Sequence, residues 1–377
     1  MRIKKLSFFF LAHMTSDLYP GMLSPLLPLL LPRYGLSMAM AGFLVMILQM
    51  FCNLPQPVVG ILNDHRPTKL YLWAGIIVSA VPFCFMFQYG KIELMIVALA
   101  VSGIGVGMFH PVAAVAAGQL SKENRRGISM AIFSAGGTFG FTIAPLVMVV
   151  IVEILGEKFM PLVVLPALVM GIYFILDRGI VISEHHHLSF RERFAALKES
   201  KRELLILWLI SSFRAVVHML VGSFLPLLYM ARGASYATSA YFLSGSLFAS
   251  MIGMFAGGHL SDVHGCRKII AITLFVTTPL LYLFLVTTGA LSAIMLLLGM
   301  AVLSSTIPVN IVLAQRTAPG HPAIASSLVM GLSFAMGALA AWPFGALADR
   351  MGIENAMYLI IIIPALAGFL VFFLKKE

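Results

Sequence analysis

Charged side chains are scarce in this 377-residue sequence. Asp, Glu, Lys and Arg together make up 11% of its residues, whereas a water-soluble domain carries roughly 25%. Hydrophobic residues make up 60% of the chain, and the mean hydropathy is +0.99. A composition so poor in charge excludes an ordinary soluble domain and predicts that most of the surface faces lipid.

Cysteine is also rare, and the usual signatures of catalysis are missing. The three cysteines show no CxxC or metal-ligand spacing, so they predict neither a disulfide framework nor a metal centre. No HExxH motif, GxSxG motif or nucleophile–base pair occurs, and no soluble catalytic or signalling domain is visible. We therefore expect no enzyme, no cofactor and no resident metal; a membrane-embedded enzyme or sensor is the least favoured alternative.

Long apolar segments are what the sequence has in abundance. A helix needs about 20 apolar residues to cross a bilayer, and twelve segments of the chain are candidates. They lie at about 8–31, 41–62, 70–88, 94–119, 127–152, 159–176, 204–229, 238–260, 269–287, 291–315, 323–346 and 355–374. The sequence thus predicts an all-α membrane protein with twelve transmembrane helices.

The apolar pattern occurs twice. Asp17 and Pro25 correspond to His218 and Pro226, each 201 positions later. Further pairs at a spacing of 197 or 198 are Gly60–Gly258, Asp64–Asp262, Pro111–Pro308, Ser129–Ser327 and Pro145–Pro343. Repeated halves are typical of secondary transporters, with the substrate bound where the repeats meet. We expect two pseudo-symmetric six-helix lobes, 1–176 and 204–377, around a central cavity, and a cytoplasmic linker, 177–203.

The net charge of +10 is an orientation signal. Of the 25 Lys and Arg residues, 19 fall on the predicted cytoplasmic side, 5 fall on the other side, and Arg214 lies inside a helix. Positive residues in short loops keep those loops in the cytoplasm. The pattern predicts a multi-pass inner-membrane protein with both termini in the cytoplasm and lipid, rather than nucleic acid, as its partner.

Four ionisable residues inside the predicted helices form two matched pairs. His13 and Asp17 are spaced i, i+4, and Arg214 and His218 repeat that spacing in the corresponding helix of the second half. An Asp or Arg at the bilayer centre costs about 2.5–3.5 kcal/mol on insertion scales. We expect Asp17, His13 and His218 to couple protons and Arg214 to hold an anionic substrate. The alternative is that both pairs are structural and lock helices together.

Other polar residues in the helices are candidates for contact with substrate. Gln49, Asn53 and Gln56 form a stripe that lines a polar cavity or hydrogen-bonds to a neighbouring helix. His110 precedes Pro111 near the middle of its helix, where it contacts substrate, acts in a gate, or bonds to a carbonyl that the proline frees. Asn310 is assigned to the cavity lining in the second half.

Two loops carry a motif that identifies a family. Gly60-Ile-Leu-Asn-Asp64 precedes His65-Arg66-Pro67, and Gly258-His-Leu-Ser-Asp262 precedes a segment with Arg267 and Lys268. This GxxxD pattern with basic residues resembles the signature loop of the major facilitator superfamily, although Pro67 departs from the usual glycine. The resemblance implies that the glycine allows close approach of helices and that the aspartate latches the cytoplasmic side. The implied gating residues are Gly60, Asp64, Arg66, Gly258, Asp262, Arg267 and Lys268.

Several further motifs resemble one branch of this superfamily, the fosmidomycin-resistance proteins. They include Gln56-Pro-Val-Val-Gly60, Phe109-His110-Pro111, Gly136-Gly137-Thr-Phe-Gly140 and Gly345-Ala-Leu-Ala-Asp349. Members of that branch are proton-driven exporters of small drugs, among them a phosphonate antibiotic.

These observations lead to one preferred function and one alternative. The preferred function is proton-coupled export of a small drug or metabolite by a monomeric transporter, with protons and that small molecule as its partners. Arg214 favours an anion as the exported compound. The alternative keeps the fold and assigns it to uptake of a metabolite, or to transport of a metal ion or chelate with His13, His110 and His218 as ligands.

Overall fold

The computed structural model describes residues 2–65, 68–120, 126–177, 200–318 and 322–375. All regular elements within these ranges are helical. The helices of the N-terminal half are α1 (Arg2–Tyr34), α2 (Met38–Asn53), α3 (Pro55–His65), α4 (Leu70–Cys84), α5 (Ile92–Gln119), α6 (Arg126–Val149), a π-helix (Val150–Leu155), a 3₁₀ helix (Glu157–Val164) and α7 (Leu165–Leu176).

The C-terminal half repeats this arrangement. Its helices are α8 (Lys201–Ala231), α9 (Tyr236–His264), α10 (Cys266–Val286), α11 (Gly289–Thr317), α12 (Pro322–Met351), α13 (Ile353–Ile360), α14 (Ile363–Leu370) and a final 3₁₀ helix (Val371–Phe373).

Ten segments of the described chain are long and apolar enough to cross a membrane. The 33-residue α1 and the shorter apolar helix α4 lie at the other two of the twelve segments that the sequence predicts. Helices suit this environment because each backbone N–H and C=O is bonded within its own segment, where lipid offers no partner. Large apolar side chains such as Val169 and Phe255 remain exposed along the helices, as lipid contact requires. The predicted all-α membrane fold is confirmed.

The chain divides into two compact units. Within the described ranges, the first holds residues up to 36, 44–177 and 235–244, and the second holds 37–43, 200–234 and the chain from 245 onward. In the first unit α1 packs along α6 and α4 along α5, and in the second α8 packs along α12 and α10 along α11. The lobe boundaries expected from the sequence stay a prediction, because most of the linker lies outside the described residues.

Glycines allow the paired helices of the first unit to approach closely. A methyl group on Gly136 of α6 would overlap the carbonyl oxygen of Phe10 in α1, and one on Gly140 would overlap that of Met14. Backbone contact of this kind is a common way for membrane helices to associate, since no hydrophobic driving force acts between them in lipid. The glycine-rich run of α6 therefore determines how closely it lies against α1.

Each unit also contains a carboxylate that accepts hydrogen bonds from the first N–H groups of another helix. In the second unit, Asp349 at the end of α12 accepts hydrogen bonds from the backbone N–H groups of Met38 and Ala39, at 2.7 and 2.9 Å. In the first unit, Glu153 accepts one from the N–H of Ala237 at 3.1 Å. The first N–H groups of a helix have no partner within the helix, so these carboxylates satisfy donors at the starts of α2 and α9.

Candidate functional site

Three ionisable side chains meet in the interior of the first unit. Asp17 Oδ1 lies 3.0 Å from His110 Nε2, and Asp17 Oδ2 lies 3.2 Å from His13 Nε2. The two Nε2 atoms are themselves 3.0 Å apart. We call His13, Asp17 and His110 the His–Asp–His cluster. The structure thus joins His110, which the sequence assigned to substrate, to the predicted pair on α1.

Backbone carbonyl groups hold both imidazole rings in place. The Nδ1 of His13 is 2.7 Å from the carbonyl oxygen of Phe133 in α6, and the Nδ1 of His110 is 2.8 Å from that of Val106 in α5. A carbonyl oxygen can only accept, so each Nδ1 carries a hydrogen, and each Nε2 is directed at the carboxylate. The Phe133 ring also stacks on the His13 ring, with centroids 4.1 Å apart.

Gly137 of α6 makes room for this cluster. A methyl group at that position would overlap Asp17 Oδ2 and would lie 2.5 Å from His13 Nε2. Any larger residue would therefore displace the carboxylate or the ring. The role of Gly137 was not predicted, although its glycine run had been singled out as a family motif.

The cluster also contains the donors of a metal site. The two nitrogens and a carboxylate oxygen all lie within 4.8 Å of one another, and this donor set is one that zinc accepts. A tetrahedral site with Zn–N bonds of about 2.0–2.1 Å separates its nitrogens by about 3.3 Å. The 3.0 Å separation of the Nε2 atoms is a hydrogen-bond distance. The cluster therefore offers the groups of a proton-binding site and the ligands of a metal site.

The second unit buries a guanidinium group in α8. Arg214 is 2% exposed, and its Nε and Nη1 atoms have no hydrogen-bond partner among the described residues. Its guanidinium carbon lies 5.6 Å from the centre of the Phe334 ring, which provides a cation–π contact. His218 follows one turn later on the same helix face. A desolvated cation with free donors is an arrangement that an anion stabilises.

Asn310 lies in the same unit. Its Nδ2 donates to Ser211 Oγ at 3.0 Å, and Ser211 lies three residues before Arg214 on α8. The Oδ1 atom of Asn310 is buried and has no partner within the described residues. Asn310 thus offers an unused acceptor, while its side-chain nitrogen is held by α8.

The polar stripe of the second predicted segment bonds to its own backbone. The side-chain nitrogen of Asn53 donates to the carbonyl oxygen of Gln49 at 2.7 Å, and that of Gln56 donates to Cys52 at 2.9 Å. These bonds lie where α2 ends and α3 begins at Pro55. The role of Gln49, Asn53 and Gln56 in lining a cavity stays a prediction.

The signature loops differ from what the resemblance implies. Among the described residues, no atom lies within 4 Å of a methyl group placed on Gly258, and the nearest atom to one on Gly60 is 4.0 Å away. The close approach occurs one residue earlier, at Gly257, where a methyl group would overlap the carbonyl oxygen of Ser305 in α11. The glycine of each GxxxD motif therefore makes no close contact with a helix in the part of the chain that the structure describes.

The charged residues of the second loop also have different neighbours from those expected. Arg267 donates to the carbonyl oxygens of Val371 and Phe372, at 3.2 and 3.3 Å, and Asp262 and Lys268 are exposed. Arg66 and the side chain of Asp64 in the first loop lie outside the described residues. The assignment of these residues to a latch stays a prediction.

Comparison with known proteins agrees with the helical arrangement. The chain is 27% identical to the fosmidomycin resistance protein of Escherichia coli (strain K12) and 28% identical to an uncharacterized MFS-type transporter, YfnC, of Bacillus subtilis (strain 168). Each alignment covers 97% of this chain and 91% of the relative.

Solved structures with the same fold are much less similar in sequence. A bacterial homolog to the human lysosomal transporter Spinster, in an inward-facing and occupied conformation, has a TM-score of 0.86 at 14% identity, over 99% of this chain and 96% of that one. The nucleoside transporter NupG, as its D323A mutant, has a TM-score of 0.81 at 13% identity, over 99% and 100%.

The sequence profile of the Major Facilitator Superfamily matches residues 9–339. Its members are transporters rather than enzymes, and they move small molecules across a bilayer. The chain is a multi-pass membrane protein that belongs to the Major Facilitator Superfamily.

Proposed function

We propose that this chain is a proton-coupled exporter of a small anionic compound, which works by alternating access in the inner membrane. The observation that carries the proposal is the buried His–Asp–His cluster of the first unit. A carboxylate in contact with two imidazoles provides three neighbouring groups that can each bind and release a proton. Ionisable groups are costly inside membrane helices, so their burial supports a functional role.

Arg214 is the proposed anchor for the substrate. Its guanidinium is buried, and an oxyanion would supply both the opposite charge and the acceptors for its free donors. His218 adds a second nitrogen one turn away, and the free amide oxygen of Asn310 can accept from a hydroxyl or N–H group of the ligand. The similarity to a protein named for fosmidomycin resistance supports efflux and an anionic cargo.

Other predicted residues keep their proposed roles on the basis of family resemblance. Gln49, Asn53 and Gln56 are assigned to the substrate path. The proposed cytoplasmic latches contain Gly60, Asp64, Arg66, Gly258, Asp262, Arg267 and Lys268.

Proton flux in vesicles tests the proposal. Purified wild type, Asp17→Asn and Glu93→Gln are reconstituted with an internal pH dye and challenged with fosmidomycin, inorganic phosphate and tetraphenylphosphonium. Glu93 is an exposed carboxylate in the first turn of α5 and serves as the matched control. We expect flux that depends on an anion in wild type and Glu93→Gln, and none in Asp17→Asn.

Two results would count against this assignment. Full proton-driven transport by Asp17→Asn would remove Asp17 as the proton site. Proton flux that only the tetraphenylphosphonium cation elicits would refute an anionic substrate.

Topology and assembly have their own tests. A reporter that fluoresces only in the cytoplasm, fused to the C-terminus, is expected to be bright, and light scattering of the purified protein is expected to give the mass of one chain. A dark fusion or a dimer mass would refute the corresponding statement.

A further inference from the structure

We propose that the His–Asp–His cluster is a binding site for one exchangeable divalent transition-metal ion, with Zn²⁺ as the probe. The ligands would be Nε2 of His13, Nε2 of His110 and the carboxylate of Asp17. The inference goes beyond the proposed function, because binding of a metal ion is measured without any cargo. It also assigns the third ligand to Asp17 rather than to His218, which the uptake alternative names.

The first argument is that three donors of the right type converge. His13 and Asp17 come from α1 and His110 from α5, and their ligand atoms all lie within 4.8 Å of one another. Each Nε2 atom lies 3.0 or 3.2 Å from a carboxylate oxygen, and the two Nε2 atoms are 3.0 Å apart. Because a tetrahedral zinc site needs about 3.3 Å between its nitrogens, the rings would have to separate by only about 0.3 Å.

The second argument is the way in which both rings are held. The Nδ1 of His13 donates to a backbone carbonyl of α6 at 2.7 Å, and the Nδ1 of His110 donates to one of α5 at 2.8 Å. Histidines that bind metals almost always donate their other ring N–H in this way, which fixes the tautomer and the direction of the ring. A neutral ring held like this presents the lone pair of Nε2. Both histidines are therefore oriented as ligands.

Charge and space around the cluster also suit a cation. With both rings neutral, the carboxylate gives the cluster a net charge of −1. Neither α4 nor α7 contains a charged residue, and neither does α6 beyond Arg126. A methyl group on Gly137 would overlap Asp17 Oδ2 and would lie 2.5 Å from His13 Nε2, so the glycine leaves room beside two of the three ligands.

The donor set indicates which ions the site takes and how firmly it holds them. Imidazole suits Zn²⁺ and other transition metals, whereas Mg²⁺ and Ca²⁺ prefer oxygen ligands alone and Cu⁺ prefers sulfur. Among the described residues the group has three members, and structural zinc sites almost always have four protein ligands. The remaining coordination position is left to water or another molecule. We therefore expect an ion that exchanges rather than one that holds the fold together.

Zinc binding to the purified full-length chain tests the inference. The adjacent His185, His186 and His187 lie outside the described residues and are a second candidate for weak metal binding. All three are therefore replaced by Gln in the background protein, which is purified without a histidine tag. Calorimetric titration with Zn²⁺ should then give one site per chain, and a large excess of Mg²⁺ should not occupy it.

Variants in this background identify the ligands. Loss of an outer hydrogen-bond partner alone costs about 10–100-fold in metal affinity, so loss of a ligand should cost at least about 100-fold. We expect this fall in His13→Gln, His110→Gln and Asp17→Ala. The matched control is His264→Gln, at an exposed position, and it should keep the affinity of the background protein.

X-ray absorption by zinc bound to the background protein needs no ligand variant, so it remains a test even if those variants fail to fold. We expect two imidazole ligands, with oxygen in the other positions. Three results would each overturn the inference: no saturable zinc site, an affinity that folded ligand variants leave unchanged, or a zinc spectrum with fewer than two imidazoles.

The inference and the proposed function fail separately. Substrate-dependent proton flux in a chain that binds no Zn²⁺ would refute only the metal site. Zinc binding at the cluster in a chain without substrate-dependent proton flux would refute only the proposed function. Because a bound ion would occupy the groups to which that function assigns protons, saturating Zn²⁺ should inhibit the flux. Undiminished flux would likewise count against the proton role of the cluster and not against the metal site.

Discussion

Replacing Gly137 by alanine is a direct test of whether the geometry of the cluster matters. The added methyl group would lie 2.5 Å from His13 Nε2 and would overlap Asp17 Oδ2, whereas ordinary contacts begin at 3.4 Å. The ring or the carboxylate must therefore retreat by about 0.9 Å, the difference between these two distances. A hydrogen bond of 3.2 Å between His13 and Asp17 becomes a separation of about 4 Å and is lost.

The expected effect on transport follows from the strength of that bond. A hydrogen bond to a charged group contributes about 1.5–3 kcal/mol, and each 1.4 kcal/mol corresponds to a factor of ten. Proton-coupled flux by Gly137→Ala in vesicles should therefore fall about 10- to 100-fold, provided that the purified variant remains monodisperse. The matched control is Gly136→Ala, whose methyl group would overlap the Phe10 carbonyl oxygen and separate the same helices without touching the cluster.

A folded Gly137→Ala protein with wild-type flux would show that the contact between His13 and Asp17 is not needed for coupling. Equal losses in Gly136→Ala and Gly137→Ala would assign the effect to helix separation instead.

Three further predictions concern stability. Arg214→Met should abolish binding of fosmidomycin or phosphate in calorimetry. It should also stabilise the protein to heat by about 1–4 kcal/mol, because it removes a buried charge. A destabilised variant would contradict this reasoning. Asp349→Ala should lose about 0.5–2 kcal/mol of stability against denaturant, because the cap of α2 is lost, and Asp349→Asn should lose much less. Equal losses of stability in the two variants would refute the capping role. Gly257→Ala should cost about 1–3 kcal/mol in thermal unfolding, whereas Gly258→Ala should cost little because no described atom lies within 4 Å of the added methyl group. Equal losses in the two variants would show that the α9–α11 contact is not responsible.

The spacing of residues along one helix predicted part of the candidate site. It did not predict the contacts that depend on how distant helices pack together. His13 and Asp17 are four residues apart on one helix, so their shared face follows from helix geometry alone. His110 is 97 residues from His13, and its contact depends on how α5 packs against α1. A single sequence contains no direct signal for that packing, so His110 was assigned to substrate.

The signature loops show what a family motif predicts and what it leaves open. The GxxxD motif identified the superfamily correctly, yet the glycine that approaches another helix is Gly257 rather than Gly258. Along a helix, adjacent residues point about 100° apart, so a one-residue difference decides whether a glycine faces its neighbour. The family motif therefore predicted the fold, but it did not predict which glycine contacts the neighbouring helix.

The two units have different ionisable side chains at equivalent positions of corresponding helices. His13 and Asp17 of α1 correspond, 201 residues later, to Arg214 and His218 of α8. If the halves arose by duplication, one copy acquired an acid with its bases, and the other acquired a cation whose Nε and Nη1 have no hydrogen-bond partner among the described residues. Under the proposed function, changes to the cargo and changes to the energy source could evolve separately, because they would fall on different helices. If the proposed function holds, directed evolution confined to the surroundings of Arg214 should change the substrate and leave the proton dependence of transport unchanged.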